Sequence, residues 1–402
     1  MHSLNADAVG ECLIFASCTV ERSAGGVQPS GVISEEWWDG ADTAVALKTA
    51  RFKISLMINA QYDPALRIHL VRQLPLRYAA GADHALDRPD HVRAGSGLAW
   101  VGERLAVVQD DANFIALVDP LTGFATSVVL PAGADGVRQF DSARGNKKHK
   151  FDLEALVSID APEGAMLLAI GSGSSRKRER LVTVHRAGEA DEILTLIEAS
   201  SLYETLRDAR EFSGSDMNIE GAVRFGDVLR LFGRGNGEAT KRHAPLDATC
   251  DLHWPSVRAY LNCPNEIAPP TPALVRQYAL GEANGIRLNF TDATLAWGDR
   301  SEQPYMLYTA AAEGSPDSRR DGEVAGSAIG CFDSRGDVAV LRYSLLRNAD
   351  GGLLPLKVEG IACGHADGRQ VYVVLDGDDP DAPSTLCELR LDGPWPMPLS
   401  TA

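Results

Sequence analysis

The chain has 402 residues, 45% of them hydrophobic and 23% charged, a globular composition with room for one large domain or two ordinary ones. Its 39 basic and 55 acidic residues leave a net charge of −16 at pH 7, which opposes approach to nucleic acid or to an anionic membrane. The seven cysteines never fall in a CxxC pair, which argues against a zinc cage and a disulfide framework, and no apolar stretch nears the roughly 20 residues of a membrane helix.

In chain order, "CLIFASC" (12–18) has the look of a leader. Asp7 and Glu11 precede it, however, and no Lys or Arg does. A cytoplasmic location is therefore expected, with export left open. Residues 1–60 read irregularly, as in "SAGGVQPSG", and form an N-terminal extension: ordered, disordered or an over-long start. The repeat domain is placed at 61–402. Its first segment, "LRIHLVRQLPL" (66–76), alternates like a strand and is expected to pair with "TLCELRL" (385–391), closing a ring of repeats.

The repeats are marked by an acidic or hydroxyl residue followed by a small one inside a strand-like run. "VEGIA" (358–362) aligns with "LEALV" (153–157), "IEGAV" (219–223) and "TDATL" (291–295), and more weakly with "SGLAW" (96–100) and "SAIGC" (327–331). The first position holds Ser96, Glu154, Glu220, Asp292, Ser327 and Glu359, and the second Gly97, Ala155, Gly221, Ala293, Ala328 and Gly360. A second apolar run with a polar end follows each of the five clearest copies, as in "LLAIGSGSSRKR" (167–178) and "VYVVLDGDD" (371–379). Paired strands joined by Gly/Asp turns are β-hairpins. Six hairpins at about 55 residues each suggest an all-β fold, a six-bladed β-propeller with short helical insertions.

In such a ring the small residue admits the neighbouring inner strand, while the acid beside it faces the central channel. Strand direction brings the acids and the polar ends of the second strands to one mouth. Glu154, Glu220, Asp292 and Glu359 are thus candidate metal ligands. Lys148, Arg176, Arg178, Arg234, Asn236, Glu313 and Asp378 are candidate ligand-binding residues at the lip. Two insertions read as helices, "SSLYETLRDAREF" (200–212) and "WPSVRAYL" (254–261), with the stretch 238–280 placed to shade the mouth. His149, His185, His243 and His253 lack metal-ligand spacing, and no nucleophile elbow, P-loop or dinucleotide fingerprint is present in context. No catalytic residue is assigned.

"FDLEAL", "GSGSS", "NIEGAV", "FTDAT", "AAAEGSPDSRRDGEVAGSAIG", "KVEGIA" and "LDGDDP" together resemble a family of uncharacterised bacterial six-bladed propellers over residues 66–395. That family is distantly similar to phytase-like propellers (those with esterase-like activity), in which calcium ions and basic residues hold and hydrolyse phosphate esters. The resemblance implies Ca²⁺ or another divalent cation at the four acids, no organic cofactor, and a phosphate side supplied by Arg176, Arg178 and Lys148. The phytase calcium ligands do not map one by one.

Three functions follow. The first is a divalent-metal-dependent phosphate-ester hydrolase at the channel mouth. The second is a non-catalytic propeller that binds a small-molecule or anionic ligand, or a protein. The third is a lactonase-like hydrolase, with Glu154, Asn236 and Asp292 imitating its central site. The oligomeric state is not legible.

Overall fold

The computed structural model describes residues 57–160, 164–296, 305–314, 322–333, 341–348, 350–364 and 369–395, together with short backbone strands between 15 and 51. Two compact units divide the chain, 1–56 and 57–402. In the first, Phe15–Thr19, Ser30–Ser34 and Thr49–Arg51 make a three-stranded sheet, and Arg22–Ser23 pairs with Gly26–Val27. The boundary read from sequence at 60/61 falls inside Met57–Tyr62, a strand of the second unit.

The second unit is almost entirely antiparallel sheet. Five four-stranded repeats are found among the described residues, each opening with an inner strand: Gly95–Val101, Leu153–Ile159, Ile219–Phe225, Ile286–Leu295 and Lys357–Cys363. Each inner strand packs on the next, and the fifth packs on the first, so the inner strands close a ring. Every junction between neighbouring repeats has its own apolar cluster. Leu117 and Val182 share one, Leu168 and Leu229 another, Phe232 and Tyr308 a third, Leu307 and Val373 a fourth, and Val107 and Val374 the last. Burial of these faces is the main favourable term holding the ring. The architecture is all-β and propeller-like.

The ring closes as the sequence suggests. Arg67–Pro75 pairs antiparallel with Thr385–Asp392 and supplies the outermost strand of the fifth repeat. A second link was not legible. Met57–Tyr62 pairs in parallel with Ala273–Ala279 of the third repeat and with Leu341–Leu345 of the fourth, fusing the two into a ten-stranded sheet.

The count of six needs correction. Ser327 and Ala328 lie in Val324–Asp333, the third strand of the fourth repeat. The Ser327 hydroxyl donates to Leu356 O at 2.6 Å, and a Cβ at Gly330 would stand 2.1 Å from the Tyr308 ring. Ser327 also accepts from Val358 N at 3.3 Å, so a third strand packed against the next repeat's inner strand selects the same small, polar residues without being an inner strand itself.

At the true inner strands the small position is explained by the ring. A Cβ at Gly97 would lie 2.5 Å from Glu154 O, and one at Gly360 would lie 2.2 Å from Ser96 O, both backbone atoms of the adjacent inner strand. Helices form at Ser200–Asp208, Arg210–Ser213 and Trp254–Asn262. The stretch 238–280, expected to shade the mouth, is split between the two ends: residues 238–246 lie in the connection at the mouth end, and the helix Trp254–Asn262 lies at the other. Trp254 N donates to Asp227 O, at the turn remote from the mouth, whereas Arg207 of the first helix reaches Gly173 O and Glu179 at the mouth end. Strand direction dictates this, because Asp247–His253 runs away from the mouth and Ile193–Glu198 runs toward it.

Candidate functional site at the channel mouth

Each inner strand carries a bulge at its mouth end. The residue skipped in pairing is Glu154 in the second repeat, Glu220 in the third and Glu359 in the fifth. A bulge adds twist and re-aims its side chain, here into the channel. In the fourth repeat the skipped residue is Thr291, so Asp292 stands one step later, where the others carry the small residue. Its Oδ2 accepts from Ile361 N of the fifth repeat at 2.9 Å, deep in the ring at 1% exposure. Burial drives the Asp292 carboxyl well above the usual range, against the backbone N–H groups of Ile361, Ala293 and Leu98.

Two charge clusters occupy the mouth. In the first, Asp110, Asp152 and Glu154 bring one oxygen each within 4.8 Å of one another. Lys150 sits among them, bonded to Asp110 and 2.7 Å from Asp152 Oδ1. Arg178 Nη1 reaches Asp152 Oδ2 at 2.9 Å, the Ser172 hydroxyl donates to the same oxygen, and the Ser96 hydroxyl donates to Glu154 Oε2 at 2.7 Å. Asp152 holds φ +59°, an uncommon conformation for a residue with a side chain. Burial raises Asp152, but Lys150 and Arg178 outweigh it and hold the carboxyl below its ordinary range. Burial pushes Asp110 up to about 7, against the pull of Lys150. Glu154 rises well above its ordinary value through burial and then through Asp110 and Glu220.

In the second cluster Arg234 bridges Glu220 Oε1 at 3.4 Å and Glu313 Oε2 at 2.8 Å. Asn218 donates to Glu220 Oε1 at 2.5 Å and to Asn236 Oδ1 at 3.3 Å. Lys357 Nζ lies 2.9 Å from Glu359 Oε1 and 3.2 Å from Asp378 Oδ1. Burial lifts Glu220 to about 8 although Arg234 opposes it, and burial likewise lifts Asp376 to about 8 against Lys357. Acids outnumber bases in both clusters: three to Lys150 and Arg178, and five (Glu220, Glu313, Glu359, Asp376, Asp378) to Arg234 and Lys357. Glu359 Oε2 and Asp292 Oδ1 are both buried without a hydrogen-bond partner.

Beside the mouth a cleft of about 230 Å³ opens between the first and fifth repeats, with Asp110, Asp111, Asp141, Asp376, Asp378 and Asp379 and one base, Lys147, in its wall. Asp378, at φ +53°, lies on its lip.

Of the residues expected to hold a metal, only Glu154 enters a three-acid group among the described residues. Arg178, Arg234 and Glu313 are buried in the ion pairs above, while Lys148 and Arg176 are exposed. Glu154, Asn236 and Asp292 bond to different partners, Ser96, Asn218 and Ile361. Sequence reasoning missed Asp152, Asn218 and Lys357, which stand two residues before Glu154, Glu220 and Glu359. Spacing of two places both members on one strand face, and that was the available signal.

The family model for DUF6929, described as a family of unknown function, matches residues 91–391. The chain belongs to this family. No curated protein matches it. Solved structures give a looser likeness. The PQQ-bound aldose sugar dehydrogenase of Streptomyces coelicolor is 14% identical, covering 82% of this chain and 99% of that one, with TM-score 0.35. A putative exported protein of Bacteroides fragilis is 9% identical over 84% and 99%, with TM-score 0.36. Domains 1–2 of Drosophila Semaphorin 1a are 8% identical over 75% and 86%, with TM-score 0.30. At these values the likeness carries no argument about activity.

Proposed function

We propose that this chain is a five-bladed β-propeller serving as a ligand-binding module, with a channel mouth that takes a cationic ligand. The observation that carries the reading is the excess of carboxylates over bases in both mouth clusters, made up by the half-buried Asp110, Glu154 and Asp376 and the exposed Asp378, with Lys150, Arg178, Arg234 and Lys357 already engaged by acids. An uncompensated carboxylate is costly in a low-dielectric site, so a positive ligand or a proton is favoured there.

Phosphate-ester hydrolysis, which the resemblance to phytase-like propellers implies, finds less support. A phosphate dianion would meet the aspartates of the cleft, and the exposed Lys148 and Arg176 make no described contact with the ring acids. The calcium implied by the same resemblance needs six to eight oxygens. The one three-acid group among the described residues already holds the Lys150 ammonium, so its donors fit a metal poorly.

Thermal unfolding of the full chain in chelator tests the reading. Separate additions follow: millimolar Ca²⁺, Mg²⁺ or Mn²⁺, an organic amine, and a phosphate monoester. A ligand bound only by the native state raises the midpoint. A rise with a cationic additive and none with the phosphate ester is expected. A rise with the phosphate ester, accompanied by its hydrolysis, would overturn the reading.

A further inference from the structure

We propose a second binding site at the far end of the channel, where Arg224 and an apolar cavity take a small monocarboxylate with an apolar body. This site is separate from the mouth and does not depend on the cationic reading above.

The cavity, about 290 Å³, is lined by all five inner strands, which contribute Leu98, Leu156, Ala222, Ala293 and Ala362 in turn. Four residues beyond the bulge, the second to fifth repeats carry Ser158, Arg224, Leu295 and Cys363. The first repeat carries Trp100 at the matching place, four residues after Ser96. Neutral side chains serve the ring at four of these five positions, so the charge of Arg224 needs another reason.

Arg224 is half-buried and stands in the cavity wall. Its guanidinium carbon lies 5.8 Å from the centre of the Trp254 ring, a cation–π contact that fixes its position. Among the described residues it makes no hydrogen bond and no ion pair, unlike Lys150, Arg178, Arg234 and Lys357 at the mouth. Its Nε is covered without a partner, so that side of the guanidinium has lost water and gained no acceptor. The two terminal nitrogens are not covered. They form a planar pair of donors, the arrangement that a carboxylate accepts with both oxygens.

The wall also defines the rest of the ligand. Trp100 lines the cavity with its Nε1 committed to Cys363 O at 2.6 Å, so its ring offers apolar surface held in place. Together with Leu98, Leu156, Ala222 and Ala293 it would take a short aliphatic or single-ring body out of water. The volume lies just below that of pockets for drug-sized molecules, which suits a ligand of this size. Asp160 stands exposed in the same wall and forms no ion pair with Arg224. Its charge weighs against a dianion and in favour of a single carboxylate.

The test is calorimetric titration of the full chain in about 0.15 M salt, where its net negative charge is screened beyond about 8 Å. The probes are hexanoate, hexanol, acetate and inorganic phosphate. Hexanoate is expected to bind at least about tenfold more tightly than hexanol, which lacks the charge, and than acetate, which lacks the body. Arg224→Gln should lose about tenfold or more for hexanoate and leave hexanol unchanged. If that variant fails to fold by circular dichroism, Ser158→Asp serves instead, because a carboxylate added to the cavity wall repels the anion or occupies Arg224. Lys148→Ala, at the mouth, should bind hexanoate as the unaltered chain does. Absence of hexanoate binding, equal binding of any other probe, or full affinity in a folded Arg224→Gln or Ser158→Asp variant would overturn the proposal. A loss in Lys148→Ala would overturn it too, by moving the anion to the mouth. The cationic reading is tested by its own additives, none of which is used here, so either can fail alone.

Discussion

The same five inner strands build two unlike ends of one channel. At the mouth they present the bulged Glu154, Glu220 and Glu359 and Lys357, crowded by Lys150, Arg178 and Arg234 from the neighbouring segments. At the other end they present Leu98, Leu156, Val157, Ala222 and Ala293 around a cavity of about 290 Å³. The backbone frame is shared, so the difference lies in side chains placed a few residues apart on each strand. Repeated geometry supplies the ring, while the unequal residues at its mouth supply chemistry. Buried ion pairs are weak evidence of stability, because apolar replacements often do as well. The far cavity is lined mainly by apolar residues with Asp160 and Arg224 among them, so the charge is concentrated at the mouth.

The largest effect should come from breaking the mouth network. Asp152→Ala leaves Lys150 and Arg178 without their shared partner and is expected to cost about 3–5 kcal/mol in urea unfolding. At the far end, Leu156→Ala should cost about 2 kcal/mol, the low end for a leucine already beside a cavity, and leave cation binding unchanged. A loss of binding in that variant would show that the two ends are not separable. Between them, Gly360→Ala forces a methyl against Ser96 O and should cost about 1–3 kcal/mol, read by the same unfolding curve.

A smaller effect separates the ends by pH. Glu220 is raised from 4.5 to about 8 and Asp110 from 3.8 to about 7, so the folded chain holds protons that the unfolded chain has released. This contribution is full below about pH 4 and is lost as pH rises through 7 to 8. Asp152, held low, acts oppositely, and its contribution is lost as the medium becomes acidic. The unfolding midpoint should therefore fall between pH 5.5 and 8.5, and Glu220→Gln should flatten that slope. A midpoint that climbs over this range would contradict the assignment. Least of all should Lys148→Ala and Arg176→Ala matter, since both residues are exposed; neither should alter the midpoint or cation binding. A marked loss of phosphate-ester binding in either would favour the anionic alternative.

Much of the ring was legible because its demands are local. Gly97, Gly221 and Gly360 must admit a neighbouring backbone, and the alternating segment 66–76 had an obvious partner at 385–391. The sixth repeat misled because Ser327 and Ala328 sit in a third strand of the fourth repeat, where Ser327 bonds the backbone that opens the fifth. Asp292 misled by a single residue, since a bulge shifts pairing without changing composition. The acids of the site were visible as residues with no apolar reason to be in a strand. Their partners were harder to find. Lys150 comes from a loop, and Asp110 from the end of a strand in the preceding repeat, so only the folded ring brings them together. The link through Met57–Tyr62 was illegible, because nothing in a six-residue strand specifies two parallel neighbours more than 60 residues apart in sequence.

The most direct measurement is calorimetric titration of a cationic ligand into the full chain at pH 7 in two buffers of different ionisation enthalpy. If surplus carboxyls at the mouth hold protons that the ligand replaces, the apparent heats will differ and report net proton release. Binding with proton uptake, or with equal heats in both buffers, would contradict a mouth whose buried acids await a cation.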